Sequence, residues 1–382
     1  MGLLDYYRQF EGMPEEEVNR GLREEAAERR RKALTRVTTL DLSQTTWPEL
    51  PHANIVNAIT FTARAGLQRY PHLRGSRLRS ELAERHELPA GRLIVGNGAA
   101  QLLTAATRAL MEPGQELLTS WPSYPLYPIM ARRAHGRAVP VGDGETPLVD
   151  ALLAAAPEHN TRVVALASPN DPTGELLATA ELERLLQGLP EGIAVLLDEA
   201  LVDFADAQPT DGSLRLLEEH PRLLVFRSFS KAWGLAGLRV GYAVGGPGSE
   251  ELLAELEPDL GVSELSQSGA LEALRSGAKP LTRHVQSVCE ERPRLTAELR
   301  ERGFEVTDSQ ANFLWVAHPK LEGTELATRM ERAGVLVAAG AALGEPRNVR
   351  IALRNAAATA RVLSAVDKAL GSRAQAPADS AG

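Results

Sequence analysis

Lys231 lies in the run Arg227-Ser228-Phe229-Ser230-Lys231-Ala232-Trp233-Gly234, among hydroxyls and apolar groups, with Gly237-Leu238-Arg239-Val240-Gly241 close behind. Apolar walls disfavour the charged form of a lysine and make a neutral, nucleophilic amine accessible, which is what Schiff-base formation with an aldehyde requires. The chain has 42 basic residues, and lysine supplies only positions 32, 231, 279, 320 and 368. Arginine stays protonated and cannot act as an amine nucleophile, so amine chemistry has five candidates.

Four further stretches could carry chemistry. Asp198, in Leu196-Leu197-Asp198-Glu199-Ala200, ends an apolar run where a parallel strand would finish. Ligands of open α/β sheets sit beyond such strand ends, and an isolated carboxylate there wants a cation; a helix cap or a structural ion pair fits the motif equally well. Gly96-Asn97-Gly98-Ala99-Ala100 joins a strand to a helix, so free N–H groups at the helix start could meet an anion, or the small residues could simply pack. Ser168-Pro169-Asn170-Asp171-Pro172-Thr173-Gly174 is a turn. Trp121-Pro122-Ser123-Tyr124-Pro125 puts an aromatic at a strand end, to cover a flat ring or to pack in the core.

These segments need a scaffold, and the chain of 382 residues is long enough for two domains. Apolar residues make up 43% and charged residues 24%, which excludes a largely disordered chain. The net charge of −8 gives no basic footprint for nucleic acid or an anionic membrane. The single cysteine, Cys289, forms neither an internal disulfide nor a cysteine metal cage, so no metal is expected and the cytoplasm is the default compartment. Met1–Phe10 lacks the apolar core of a signal peptide, and no apolar run approaches the roughly 20 residues that cross a bilayer.

Residues 14–34 read as a charged helix, and Leu40–His52 as an extended connector. Strands are predicted at Arg92–Gly96, Glu116–Ser120, Arg162–Ala167, Ile193–Leu197, Arg222–Arg227 and Leu238–Val244, several of them apolar without alternation, as in strands buried on both faces. Helical stretches such as Gln101–Met111 and Thr179–Gly188 fall between them, so the fold class is α/β, with a mostly parallel sheet flanked by helices. A smaller α+β domain follows: a helix at Leu281–Arg302, strands at Phe313–Ala317, Val335–Ala338 and Val349–Leu353, and helices at Thr324–Ala333 and Ala357–Leu370. The expected organisation is an N-terminal arm and connector (1–52) packing with the small domain, a large domain (53–275), a small domain (276–370) and a disordered tail (371–382).

The order and spacing of these motifs resemble the fold-type I pyridoxal-phosphate enzymes, in particular the class I and II aminotransferases and their histidinol-phosphate aminotransferase-like branch. The likeness runs from about Leu40 to Leu370. It implies pyridoxal 5′-phosphate as cofactor, and a small-molecule amino acid and 2-oxo acid as substrates. It implies that Lys231 holds the cofactor and moves the substrate proton, that Asp198 pairs with the pyridine nitrogen, and that Tyr124 stacks on the ring. Gly98, Ala99 and Ala100 at the helix start, with Ser228, Ser230 and Arg239, would bind the phosphate. Tyr70, in Arg69-Tyr70-Pro71, would reach the phosphate of the other subunit, which implies a homodimer with shared active sites. Arg350, in Asn348-Val349-Arg350-Ile351, would bind the substrate carboxylate.

Three positions depart from the family. Asp171 stands where the family has an asparagine, and Leu201 where it has a tyrosine, each a donor to the cofactor's ring oxygen. A carboxylate there implies altered cofactor electronics and leaves a decarboxylase, lyase or oxidase on the same scaffold as the alternative activity. Ala338 replaces the branch's phosphate-binding arginine, so the substrate is expected to carry an uncharged side chain rather than the phosphate of histidinol phosphate. A DNA-binding fusion is disfavoured, because the first 50 residues offer one charged helix and a connector, too little for a winged helix.

Overall fold

The computed structural model describes residues 39–371 apart from residue 143; the helix expected at 14–34 and the tail from 372 lie outside the described residues. The described residues from Asp41 onward belong to one compact unit. Among the described residues, no helix is long and apolar enough to cross a membrane.

The main sheet has seven strands: β1 (Leu93–Gly96), β2 (Glu116–Ser120), β3 (Arg137–Val141), β4 (Thr161–Ala167), β5 (Ala194–Asp198), β6 (Leu223–Ser228) and β7 (Gly241–Gly245), in the order β1-β7-β6-β5-β4-β2-β3. The five strands from β6 to β3 run parallel, and β7 is antiparallel to both its neighbours. Successive residues of a strand face opposite layers. In β4, Val164 and Leu166 pack with Leu152 and Leu185, while Val163 and Ala165 pack with Leu103 and Met130. Burial on both faces is why these strands read as unbroken apolar runs.

Helices cover the faces: α1 (Ala53–Gly66), α2 (Ser76–Arg85), α3 (Ala99–Leu110), α4 (Leu126–Arg133), α5 (Leu148–Ala155) and α6 (Thr179–Gly188). In α6, Leu182, Leu185 and Leu186 form the buried stripe that three- and four-residue spacing dictates. A second, antiparallel sheet is built from β8 (Glu305–Val306), β9 (Phe313–Ala317), β10 (Ala338–Ala339) and β11 (Asn348–Ala352), in the order β10-β11-β9-β8, with α7 (Ala278–Glu301), α8 (Gly323–Arg332) and α9 (Ala356–Ala369).

Two predicted strands differ. The extended run expected at 238–244 begins instead with a 3-10 turn, Ala236–Leu238, and Arg239 takes the left-handed conformation at φ 52°, so the strand starts only at Gly241. The run at 335–338 splits, because its halves find different partners. The Leu336 carbonyl accepts the Leu42 N–H at 2.8 Å, while Ala338 pairs with Arg350 of β11. The connector is thereby stitched to the second sheet: the Leu42 carbonyl accepts from Ala352 N–H at 3.0 Å, and Asn312 donates to the Thr45 carbonyl at 2.9 Å.

Candidate active site

The strand ends of β4, β5 and β6 converge on one cavity. Asp198 is the last residue of β5, and its backbone carbonyl accepts the Ser168 N–H at 2.9 Å, tying the 168–174 turn to the strand tip. Within that turn Asn170 is buried. It accepts from Ser123 Oγ at 2.7 Å and donates to the Pro122 carbonyl at 3.0 Å, fixing the Trp121–Tyr124 segment beside it. One residue beyond Asp198, Glu199 takes the Arg227 guanidinium at 2.9 Å, both side chains buried. This pair clamps the end of β5 to the end of β6, from which Ser228 and Lys231 follow. The loop after β6 closes on itself through Phe229 N–H to the Val240 carbonyl and Leu235 N–H to the Phe229 carbonyl, at 3.1 and 2.9 Å.

The cavity has a volume of about 170 Å³ and opens to solvent. Ala99, Ala100, Tyr124, Asp171, Asp198, Ser228, Ser230, Lys231 and Arg239 all line it, together with Thr46, Ala200 and Leu201. Gly98 is the N-cap of α3, at φ 86°, and a Cβ there would stand 2.6 Å from Arg239 Nη2. Besides Gly98, two of the predicted residues are not on the cavity wall. Tyr70 is 87% exposed, and Arg350 is covered by Asp171, with which it forms an ion pair.

At one end the cavity is built for an anion. The first turn of α3 has no side-chain cap, so its N–H groups open beside Ser228, Ser230 and Arg239. Arg239 Nη1 donates to Ser230 Oγ at 3.2 Å, and its left-handed backbone is the local strain that aims it there. Deeper in, Asp198 is buried and accepts the Ala200 N–H at 3.0 Å. Burial pushes its carboxyl up to about 6, against the pull of the Ala200 N–H and the charge of Lys231. Burial likewise lowers the Lys231 amine, opposed first by Asp171. That amine donates to the hydroxyl of Thr45, in the connector. Tyr124 is held edge-on to Tyr127 at 5.9 Å, and burial raises its phenol. An uncapped helix start with an arginine and two serines, a buried acid and a desolvated amine fit the phosphate, pyridinium nitrogen and aldehyde of pyridoxal phosphate.

Thr45, Asn170, Ser123 and the Arg227–Glu199 clamp were not singled out from sequence. The signal for Thr45 was present in the hydroxyl-rich Ser43-Gln44-Thr45-Thr46, but its target lies 186 residues away.

Residues 38–367 match the family described as aminotransferase class I and II. An aromatic amino acid aminotransferase of Mycobacteroides abscessus is 38% identical over 287 residues, spanning 74% of this chain and 80% of that protein. Histidinol-phosphate aminotransferase 1 of Nitrosococcus oceani is 33% identical over 305 residues, spanning 79% and 81%. The histidinol-phosphate aminotransferase of Sinorhizobium meliloti, solved in complex with pyridoxal-5′-phosphate, superposes with a TM-score of 0.77 at 26% identity, covering 88% of this chain and 92% of that one. The fold, the site and these relatives together make the chain a member of the class I and II aminotransferases, pyridoxal-phosphate enzymes that move an amino group from an amino acid to a 2-oxo acid.

Proposed function

We propose that this aminotransferase acts on α-amino acids with uncharged side chains, as a cytoplasmic homodimer whose two sites each borrow Tyr70 from the other subunit. The observation that carries the catalytic assignment is that Lys231 and Asp198 line one cavity beside the uncapped start of α3. When bound, pyridoxal phosphate supplies the electron sink for the carbanion formed at the substrate's α-carbon. Asp198 holds the proton on the ring nitrogen. Lys231 provides the amine that binds the aldehyde and then carries the proton between the α-carbon and C4′. Ser228, Ser230, Arg239 and the N–H groups of Ala99 and Ala100 hold the phosphate, Tyr124 covers the ring face, and Arg350 receives the substrate's carboxylate.

Ala338 supports an uncharged substrate side chain. It sits opposite Arg350 in the β10–β11 register and has no charge to offer a phosphate. The relatives named for aromatic amino acids accord with this. Phe61, Leu67, Tyr70 and Leu73 leave a run of large apolar side chains exposed, as a face covered by a second copy would. Cysteine usage is the ground for the cytoplasm. We further assign residues 53–275 to a coenzyme-binding domain and 276–370 to a small domain, on the strength of the two separate sheets.

An amino donor given alone tests the reaction. The purified enzyme should turn the bound coenzyme into its aminated form, with stoichiometric 2-oxo acid released. Return of the original spectrum with release of carbon dioxide or ammonia would instead establish the lyase-type alternative. Borohydride reduction should fix the coenzyme to Lys231, and label on any other residue overturns the assignment.

A further inference from the structure

The Arg350 guanidinium meets three groups. Nη1 is paired with the Asp171 carboxylate, Nη2 donates to the Ser43 carbonyl at 3.3 Å, and the guanidinium carbon lies 5.4 Å from the centre of the Phe313 ring. The side chains of the pair are only 11% and 12% exposed. Asp171 lines the cavity and Arg350 does not. Among the described residues the cations on the cavity wall are Lys231 and Arg239, and both are committed to the coenzyme under the proposed assignment. The substrate end therefore presents a carboxylate to an arriving ligand, where binding an amino acid calls for a free guanidinium.

We propose that Asp171 is a specificity-determining residue that occupies the substrate-carboxylate seat on Arg350, so that every carboxylate ligand binds in competition with it. This rests on the proposed role of Arg350 as carboxylate receptor. A substrate carboxylate must take over a charge-assisted contact already made in a poorly solvated place, and it must leave the displaced Asp171 carboxylate near Asp198 without its cation. A ligand with no carboxylate leaves the pair intact and meets no such competition. The departure from the family's amide at position 171 thus acts at the substrate end of the cavity, through Arg350. Asp171 raises the cost of binding acids relative to uncharged ligands of the same shape.

The test is calorimetric binding of 3-phenylpropanoate and its uncharged amide, 3-phenylpropanamide, to the holoenzyme. Asp171→Asn should tighten the carboxylate by about tenfold or more, a step worth about 1.4 kcal/mol, and leave the amide unchanged. Asp171→Ser, with no side-chain amide to bond Arg350, should do the same and guards against a variant that misfolds. Arg350→Gln, added to Asp171→Asn, should abolish the gain, because the seat itself is gone. Equal carboxylate affinity in the parent and both Asp171 variants overturns the proposal. So does a gain that persists with Arg350→Gln, which would make Asp171 a general repellent of anions. The assignment of the reaction fails separately, by the absence of any donor-driven change in the coenzyme spectrum.

Discussion

The amine of Lys231 meets the hydroxyl of Thr45, which the connector delivers from 186 residues earlier in the chain. Asn312 holds the Thr45 carbonyl at 2.9 Å, so the small sheet positions a hydroxyl over a residue that the large sheet supplies. The hydroxyl accepts from the amine and keeps it from swinging away when it is released from the coenzyme. Thr45→Val keeps the shape and loses the acceptor. We expect kcat to fall about tenfold with KM little changed, and Thr45→Ser to restore it. Steady-state kinetics of the three proteins checks this, and equal kcat values would remove Thr45 from the machinery.

Asp198 destabilises the protein when no cofactor is bound. Its carboxyl rises from 3.8 to about 6 on folding, chiefly through burial, which corresponds to a penalty of about 3 kcal/mol once it is ionised. The penalty is absent below pH 3.8, where both states are protonated, and complete above about 6. Asp198→Asn should therefore stabilise the cofactor-free protein at pH 8, and the gain should shrink as the pH is lowered through 6. The same change should weaken coenzyme binding. Urea unfolding at several pH values, with and without coenzyme, measures both effects.

His284 has the opposite slope. It is packed against Trp47 with ring centroids 3.4 Å apart, and Nδ1 lies 2.8 Å from the Ala232 carbonyl, the residue after the lysine. Burial lowers the imidazole from 6.5 to about 4, so the folded state keeps it neutral. Its contribution is complete above pH 6.5 and is lost as the pH falls toward 4, by about 3 kcal/mol at most. His284→Gln should flatten the loss of stability across that window. In the parent, Asp198 gains stability over part of the same range, so the two effects partly cancel and only the single variants reveal them.

Shared sites predict complementation. Tyr70→Ala and Lys231→Ala should each be nearly inactive alone. Mixed and allowed to exchange subunits, they should recover about a quarter of the parent's activity, because half of the dimers then carry one intact site. Phe61→Glu should shift the protein toward monomer in sedimentation and lower activity with it. A mixture as inactive as its components would exclude a shared site.

Much of the scaffold was legible because the strands feeding the site are buried on both faces and therefore lack alternation. Glu116–Ser120, Phe313–Ala317 and the helix Thr179–Gly188 fall where the pattern put them. The strand expected from Leu238 was displaced because the left-handed turn at Arg239 has no glycine at its centre to announce it. Nine predicted site residues gather on one wall because each follows a strand end or opens a helix, which sequence patterns do register. Thr45 against Lys231, and Asp171 against Arg350, join residues far apart in the chain, and nothing local encodes such pairs.

The Arg227–Glu199 clamp separates two jobs within the molecule. It ties together the strand tips that present the acid and the amine, using side chains that do not line the cavity. Arg350 and Ala338 lie instead on neighbouring strands of the second sheet. Selection can therefore exchange residues on that sheet, and redirect the enzyme toward new metabolites, while the acid–amine pair keeps its alignment.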